Sequence, residues 1–337
     1  MTIKDIAKYC GVSVSTVSRV INERPDVSPA VRERVLGAID KLNFIPSDSA
    51  RVLVRSSSDT IGLVVRGVGN PFYTDVIKAI ERGIDAAGLT MVMQQIDVCE
   101  DEVRAGAQME RDKRLRGLIF LGGRSDYTPG ELSAVTVPFV CCSYTNSFGS
   151  LPGGSYSSVS IEDAAVARTA VEKLIALGHR RIAALVSGKN DRSISALRYL
   201  GYTEALRAHG IELDESIVSE AGNFEMDDAY AATKALLERN DDFTALFAIS
   251  DAMAIAAVKA LSEFGRAVPR DCSVIAIDGL KLSEYTVPTL TTYRQPSREM
   301  GAESVAILLD MIALGGCRSV VMQAELREGA SVCPREI

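Results

Sequence analysis

From residue 59 onward, short apolar runs alternate with longer stretches in which apolar residues recur every three or four positions. The short runs are typical of buried strands; they are Ile61–Val65, Thr90–Gln95, Gly117–Leu121, Pro138–Cys142, Arg181–Val186, Ala245–Ile249 and Ser273–Ile277. The longer stretches are typical of helices that bury one face; they are Tyr73–Ala87, Asp101–Arg114, Ala164–Ala176, Ile194–Ala208, Asp227–Arg239, Ala252–Phe264 and Ser297–Leu314. Regular alternation predicts an α/β body of two doubly wound, parallel-sheet halves. Ligands of such folds bind at the carboxyl ends of the strands, here in the cleft between the halves.

The first 46 residues have a different pattern, which predicts three short helices. Thr2, Ser13 and the pair Ser28-Pro29 stand where a polar cap or a first-turn proline favours a helix start, and Gly11 separates the first two helices. Apolar stripes continue through the helices; they contain Ile3, Ile6 and Ala7, then Val17, Val20 and Ile21, then Val31, Val35, Ala38, Ile39 and Leu42. Two helices joined by a tight turn and followed by a supporting helix predict an all-α helix-turn-helix head.

Charge is distributed unevenly along the chain. Residues 1–58 carry nine Lys and Arg and six Asp and Glu, a net charge of +3, which leaves −10 for the rest of a chain whose net charge is −7. A basic head on an acidic body indicates a nucleic-acid contact confined to the head. The alternative is a small three-helix cap with no role in DNA binding.

Several motifs make the sequence similar to one known family. Residues 2–7, 11–13, 15–22 and 42–46 resemble the LacI family of bacterial transcription regulators, and so do Asn70-Pro71-Phe72 and residues 177–182 in the body. The resemblance implies a periplasmic-binding-protein-like body. It also implies a homodimeric regulator, a repressor, that binds a pseudo-palindromic DNA operator and is controlled by a small molecule, a carbohydrate.

The resemblance also implies a domain organisation. Residues 1–46 form the helix-turn-helix domain, residues 47–58 a hinge helix and linker, and residues 59–337 the effector-binding and dimerisation domain. The N-terminal half of that domain comprises about 59–157 and 290–317, and the C-terminal half about 158–289 and 318–337. The chain is therefore expected to cross between the halves near 158, 289 and 318.

The resemblance assigns the DNA contacts to the second helix and to the hinge. The residues expected to contact DNA in the head are Thr2, Ser13, Val14, Ser15, Thr16, Ser18, Arg19 and Asn22. In the hinge, Leu53 matches the family position that wedges between base pairs in the minor groove, and Ala50 faces the partner subunit. The alternative for residues 47–58 is a disordered tether, since a seven-residue helix is marginal by itself.

Effector contacts are implied in the same way. Arg198 and Asp278 match family positions that reach the effector, and together they can grip vicinal hydroxyl groups, one donating and the other accepting. The alternative for these two residues is an ion pair between the halves. Further expected effector contacts are Asn70, Phe72, Tyr73, Phe224 and Asp251.

The sequence offers no motif that predicts catalysis, cofactor binding or metal binding. The two histidines neighbour no nucleophile motif, Gly67-Val68-Gly69 lacks the last glycine of a dinucleotide fingerprint, and the seven cysteines lack metal-ligand spacing. No apolar run reaches the length of a membrane span and no secretory signal is recognisable, so we expect a cytoplasmic, nucleoid-associated protein. Two alternatives stay open: a cytosolic sugar-binding or sugar-processing protein, and a regulator triggered by a purine, a sugar phosphate or a protein corepressor.

Overall fold

The computed structural model describes residues 3–21, 27–42, 59–67, 69–152 and 154–335. The chain divides into two compact units, residues 1–58 and 59–337. Several residues predicted to contact DNA lie outside the described part, namely Thr2, Asn22, Ala50 and Leu53, together with the whole predicted hinge at 47–58. The side chain of Ser18 lies outside it as well.

In its described residues the head contains three helices, α1 (Ile3–Cys10), α2 (Val14–Ile21) and α3 (Pro29–Lys41). Ser13 caps α2, because its hydroxyl accepts a hydrogen bond from the backbone N–H of Thr16 at 3.1 Å. The predicted stripes meet in one core, which buries Ile6, Ala7, Cys10, Val17, Val20, Val35 and Ala38. Apolar side chains three or four positions apart thus bring the three helices together.

The first half of the body is a six-stranded, fully parallel sheet in the order β11-β5-β4-β3-β1-β2. Its strands are β1 (Thr60–Arg66), β2 (Thr90–Ile96), β3 (Gly117–Leu121), β4 (Phe139–Cys142), β5 (Ser157–Ile161) and β11 (Ser319–Met322). Its helices are α4 (Tyr73–Ala86), α5 (Glu102–Lys113), α6 (Pro129–Leu132) and α11 (Ser297–Leu314). Two apolar clusters, one on each face of the sheet, form its core.

The second half is a six-stranded sheet in the order β12-β10-β9-β8-β6-β7, parallel except for β12. Its strands are β6 (Ile182–Val186), β7 (Val218–Glu220), β8 (Ala245–Ala248), β9 (Ser273–Asp278), β10 (Thr291–Arg294) and β12 (Glu325–Arg327). Its helices are α7 (Asp163–Ala176), α8 (Ile194–Ala208), α9 (Met226–Arg239) and α10 (Asp251–Glu263), with 3₁₀ turns at Glu215–Ile217 and Lys281–Glu284. Strands alternate with helices as predicted.

The chain crosses between the halves later than the sequence predicted. The crossings follow β5, β10 and β11, after residues 161, 294 and 322 rather than near 158, 289 and 318. The reason is strand pairing: β5 pairs with β4 and β11 in the first sheet, whereas β10 pairs with β9 in the second. All three crossings therefore lie at the same edge of the two sheets.

In the described part of the chain, no helix is long and apolar enough to cross a membrane. The His, Cys, Asp and Glu side chains of those residues form no group of three that could hold a metal ion. His179 is buried and structural: its Nε2 donates to the Cys333 carbonyl at 3.1 Å, and its Nδ1 lies 2.9 Å from the Thr244 hydroxyl.

Candidate effector-binding site

A cavity of about 370 Å³ lies between the halves, at the carboxyl ends of their strands. The first half lines it with residues that end or follow β1 to β4, and the second half with residues that follow β6 and β7. Asn70, Tyr73 and Phe224, three of the predicted effector residues, line this cavity. Its other polar side chains include Arg66, Gln95, Asp97, Ser143, Ser187, Asp191, Ser193, Asn223 and Glu225. A concave, mixed polar and apolar site of this size is typical of small-molecule binding.

Asn70 and Tyr73 are held by the turn that leads from β1 into α4. The side-chain oxygen of Asn70 accepts a hydrogen bond from the backbone N–H of Phe72 at 3.0 Å. Burial raises the pKa of Tyr73, and the charge of Asp278 raises it further. The Tyr73 hydroxyl therefore stays protonated and can donate a hydrogen bond to a ligand. A side chain at position 122 would collide with this hydroxyl, so Gly122 keeps the space open.

Arg198 forms a buried ionic cluster beside the cavity. Its Nε donates to Asp163 Oδ1 at 2.8 Å, and its Nη1 lies 3.4 Å from Asp278 Oδ1 and donates to the Ile249 carbonyl. Arg198 is 1% exposed and does not line the cavity in this structure. Both aspartates belong to elements of the second half, so the ion pair lies within that half and not, as the alternative had it, between the halves.

Asp278 has an ionised form that burial disfavours and a strained backbone conformation. Burial raises its pKa to about 7, although the Arg198 guanidinium opposes that rise. Its backbone has a φ of 139°, a region that residues other than glycine rarely adopt. Gln295, at the second crossing, donates its side-chain amide to Asp278 Oδ1 at 2.8 Å, while within the described residues Oδ2 has no hydrogen-bond partner. Strain and an unpaired buried oxygen at a cleft are typical of a functional site.

Two predicted effector contacts are corrected by the structure. Phe72 is 3% exposed and packs into the core of the first half, because at the start of α4 its ring faces the sheet while Tyr73 lines the cavity. Asp251 is fully buried and accepts hydrogen bonds from the Leu280 backbone N–H at 2.8 Å and the Ser283 hydroxyl at 2.6 Å. Asp251 therefore anchors the loop that follows β9 and does not line the cavity.

Several residues of the site were not predicted from the sequence, among them Asp163, Gln295 and Arg66. Asp163 and Gln295 hold Arg198 and Asp278, and Arg66 lines the cavity at the end of β1. Asp163 and Gln295 follow β5 and β10, two strands that no apolar run in the sequence predicts. Because polar residues directly after a parallel strand reach the ligand edge of a sheet, recognising those strands would have identified both side chains.

The halves are in contact across the cleft. Ile194, at the start of α8 in the second half, is buried in an apolar cluster that otherwise belongs to the first half. The Ser125 backbone N–H of the first half donates to the Arg192 carbonyl of the second half at 2.8 Å. A side chain at Gly69 would collide with Glu225 from the opposite half. The structure therefore has a closed cleft.

In the head, α2 exposes the residues expected to read DNA. Val14, Ser15 and Arg19 are exposed, while Val17 and Val20 on the opposite face are buried. Thr16 is half-buried, and its hydroxyl lies 2.8 Å from that of Ser13. An exposed face of small polar residues with one arginine can approach base edges in a major groove.

Comparison with known proteins decides the family. Residues 2–47 match the model of bacterial regulatory proteins of the lacI family, and residues 171–335 match a periplasmic binding protein-like domain. The HTH-type transcriptional regulator MalR of Clostridium butyricum is 38% identical over 331 residues, which cover 97% of this chain and 98% of that protein. The chain belongs to the lacI family of bacterial regulatory proteins.

Other members of the lacI family match over almost the whole chain. The HTH-type transcriptional regulator CelR of Thermobifida fusca is 36% identical, covering 92% of both chains. A solved CelR–cellobiose complex superimposes with a TM-score of 0.72 at 32% identity, covering 98% of this chain and 99% of that one. A Lac repressor dimer bound to operator and an anti-inducer superimposes with a TM-score of 0.78 at 27% identity, covering 99% of both chains.

Membership of the lacI family settles the class of protein. The relatives are transcriptional regulators, so this chain is a DNA-binding transcriptional regulator and not an enzyme. The predicted fold class, a helix-turn-helix head followed by a two-sheet, periplasmic-binding-protein-like body, is confirmed.

Proposed function

We propose that this lacI-family regulator is a homodimeric repressor whose affinity for a pseudo-palindromic operator is changed by an uncharged carbohydrate bound in the cleft. The head binds the major groove through Ser13, Val14, Ser15, Thr16, Ser18 and Arg19, with Thr2 and Asn22 at its edges and Ala50 and Leu53 in the minor groove. The protein acts in the cytoplasm, on the nucleoid. Two solved relatives support a sugar effector, since one holds cellobiose and the other holds ribose.

The charge of the cavity carries the proposal. Three carboxylates, those of Asp97, Asp191 and Glu225, line it against one guanidinium, that of Arg66. Backbone hydrogen bonds lower the pKa of Asp97, which favours its ionised form. A phosphate would meet a net negative wall, whereas the hydroxyl groups of a sugar can donate to carboxylates and accept from Arg66 and Tyr73. The chemistry therefore favours a neutral sugar over a sugar phosphate.

Closure of the cleft links the ligand to the operator. A ligand held by both halves favours one angle between them, and the affinities for ligand and DNA are then coupled reciprocally. On this proposal Asn70, Tyr73 and Phe224 contact the effector directly, while Arg198 and Asp278, which do not line the cavity, act on it through the Tyr73 hydroxyl. Each half thus contributes contacts that depend on closure.

The test is a thermal-shift screen of the full-length protein against sugars, the corresponding sugar phosphates, and nucleosides. A ligand that binds only the folded state raises the free energy of unfolding by RT ln(1 + [L]/Kd), about 2.7 kcal/mol at a hundred times Kd. We expect a neutral sugar to raise the melting temperature and its phosphate to leave it unchanged. Stabilisation by a sugar phosphate or by a nucleoside alone would overturn the proposal.

A further inference from the structure

A buried carboxylate, that of Glu102, begins α5 in the first half. Among the described residues, four buried side-chain atoms have no hydrogen-bond partner, and one of them is Glu102 Oε2. The side chain is fully buried, although glutamate is almost never fully buried unless it is paired. Helix capping does not explain this burial, because Asp101 is the cap of α5 and accepts from the Arg104 backbone N–H at 2.8 Å. The position of Glu102 therefore needs another explanation.

Glu102 lies behind Arg66, a residue that lines the cavity. Its Oε2 is 3.5 Å from Arg66 Nε, whereas Glu102 itself does not line the cavity. Burial raises the pKa of Glu102, and the charge of Arg66 opposes that rise. Opposite charges this close form an ion pair, and the pair as a whole carries no net charge. The carboxylate thus acts on the cavity through the guanidinium.

The loop that follows β3 fixes this carboxylate. Glu102 Oε1 accepts from the Arg124 backbone N–H at 2.7 Å. A Cβ at Gly123 would lie 2.4 Å from Oε1, so glycine lets the cavity wall approach the carboxylate closely. The same loop contacts the second half, because the Ser125 backbone N–H donates to the Arg192 carbonyl at 2.8 Å. Glu102 is therefore held in place by a loop that takes part in closure of the cleft.

Arg66 keeps donors for a ligand. Its Nε donates to the Glu100 carbonyl at 3.1 Å, and its Nη2 donates to the Val98 carbonyl. Within the described part of the chain, its Nη1 has no hydrogen-bond partner, and the side chain lines the cavity. A guanidinium without a counterion is a strong site for a carboxylate or a phosphate. With Glu102 beside it, the guanidinium can still donate to hydroxyl groups, but its attraction for an anion is reduced.

We propose that Glu102 determines the specificity of the cleft: it positions Arg66 and neutralises its charge, so that the guanidinium binds the hydroxyl groups of a neutral sugar in preference to an anionic group. This inference rests on the proposed function, because it explains how the cleft selects an uncharged carbohydrate. Glu102 is a positioning residue, since it acts on the ligand through Arg66 and does not line the cavity.

The test is isothermal titration calorimetry of the full-length protein at pH 8. The probes are glucose, galactose, ribose, maltose and cellobiose, each compared with its own monophosphate. The wild type is expected to bind one neutral sugar at least about tenfold more tightly than the phosphate of that sugar, since the phosphate meets the cavity carboxylates and a neutralised arginine. A wild type that binds no neutral sugar of this panel, or that prefers the phosphates, would overturn the proposed function and this inference with it.

The decisive variant is Glu102→Gln, which removes the charge and keeps an oxygen that can accept from the Arg124 backbone N–H. We expect its affinity for the neutral sugar to fall about 3- to 10-fold and its affinity for the phosphate to rise at least about threefold, because Arg66 loses its counterion. A damaged fold would weaken both ligands, so changes of opposite sign identify lost neutralisation. Equal losses for both ligands would overturn the inference and leave the sugar-responsive function intact.

Two variants serve as comparisons. Glu102→Asp keeps the negative charge next to Arg66 and is expected to retain most of the preference for the neutral sugar; loss of that preference as complete as in Glu102→Gln would show that charge is not the cause. Glu110→Gln is the matched control, because Glu110 lies on the same helix, accepts from the Thr136 backbone N–H at 3.0 Å and does not line the cavity. It is expected to change neither affinity.

A double-mutant cycle tests whether Glu102 acts through Arg66. In an Arg66→Gln background, adding Glu102→Gln is expected to change the ratio of the two affinities less than about twofold. An equal change with and without Arg66 would overturn the inference. The double variant buries no unpaired charge, so it decides the question if Glu102→Gln alone does not fold: it is expected to bind the neutral sugar at least about tenfold more weakly than the wild type, and an affinity within about twofold of wild type would overturn the inference.

Discussion

Replacement of Asp278 by asparagine is expected to stabilise the protein at pH 8 and not at pH 4. The unfolded chain releases this proton near the ordinary pKa of 3.8, whereas the folded protein retains it until about pH 7. Between these values the folded state binds more protons, so the contribution of Asp278 to stability falls as the pH rises. Asparagine has no proton to lose, so its contribution to stability does not change over this pH range.

The magnitude follows from the size of the pKa change. The pKa of Asp278 rises from 3.8 in the unfolded chain to about 7 in the folded protein. Since each pKa unit corresponds to about 1.4 kcal/mol, the effect on the free energy of unfolding has an upper limit of about 4 kcal/mol. Arg198 keeps its hydrogen bond to Asp163 in the variant, so the guanidinium does not become unpaired. We therefore expect the difference in unfolding free energy between variant and wild type to grow by about 1–4 kcal/mol from pH 4 to pH 8.

The assay is urea unfolding of both full-length proteins, followed by circular dichroism at each pH. Subtracting wild type from variant cancels the contributions of the other titrating groups. Asp271→Asn is the control, because contacts with Arg270 and a backbone N–H lower the pKa of Asp271 to about 2, so that this carboxyl titrates below the pH range of the assay. The contribution of Asp271 to stability changes only between about pH 2 and 3.8, so the difference between that variant and wild type is expected to stay flat from pH 4 to pH 8. A pH-independent difference for Asp278→Asn would refute the reasoning.

Three further predictions concern DNA reading, the hinge and closure. Arg19→Ala is expected to weaken operator binding by about 1–3 kcal/mol and to relax preference at one base pair per half-site; an unchanged motif in binding-site selection would contradict base reading. Leu53→Ala is expected to leave effector binding intact and reduce DNA bending in a gel-permutation assay; equal bending would exclude a wedge. Ile194→Ala is expected to disfavour the closed cleft by about 2–5 kcal/mol and to increase the radius of gyration in small-angle X-ray scattering; an unchanged radius would show that closure does not depend on this side chain.

Most of the fold was predictable because apolar periodicity reports burial directly. The strands that apolar periodicity does not predict are short or polar, and β5 is the informative case. Ser157, Ser158 and Ser160 are buried in it, where an apolar run would be expected. Ser157 accepts from the Arg318 backbone N–H at 3.0 Å, and Ser158 donates to the Ser319 hydroxyl at 3.0 Å, so the serines pair with a strand 161 residues away in sequence. The pattern of apolar and polar residues around β5 therefore does not predict this pairing.

The site was predictable only where strand ends determine it. Asn70 and Tyr73 follow β1 and line the cavity, but the choice between Phe72 and Tyr73 depends on how α4 rotates against the sheet. Asp251 stands at a strand end too, yet Thr292, 41 residues further along the chain, donates its hydroxyl to it. Hydrogen-bond partners that are distant in sequence occupy the Asp251 carboxylate, so that it holds a loop instead of a ligand. Only the tertiary structure shows such partners.

The central claim is tested most directly by operator affinity, measured by fluorescence anisotropy on a palindromic site obtained by binding-site selection. For the wild type, the sugar identified by thermal shift is expected to change operator affinity at least about tenfold, within the usual range of allosteric coupling, and its phosphate to change nothing. Arg198→Ala is expected to bind the operator like the wild type and to lose the response to sugar. A normal response in Arg198→Ala would place the effector elsewhere, and loss of operator binding without ligand would assign Arg198 a purely structural role.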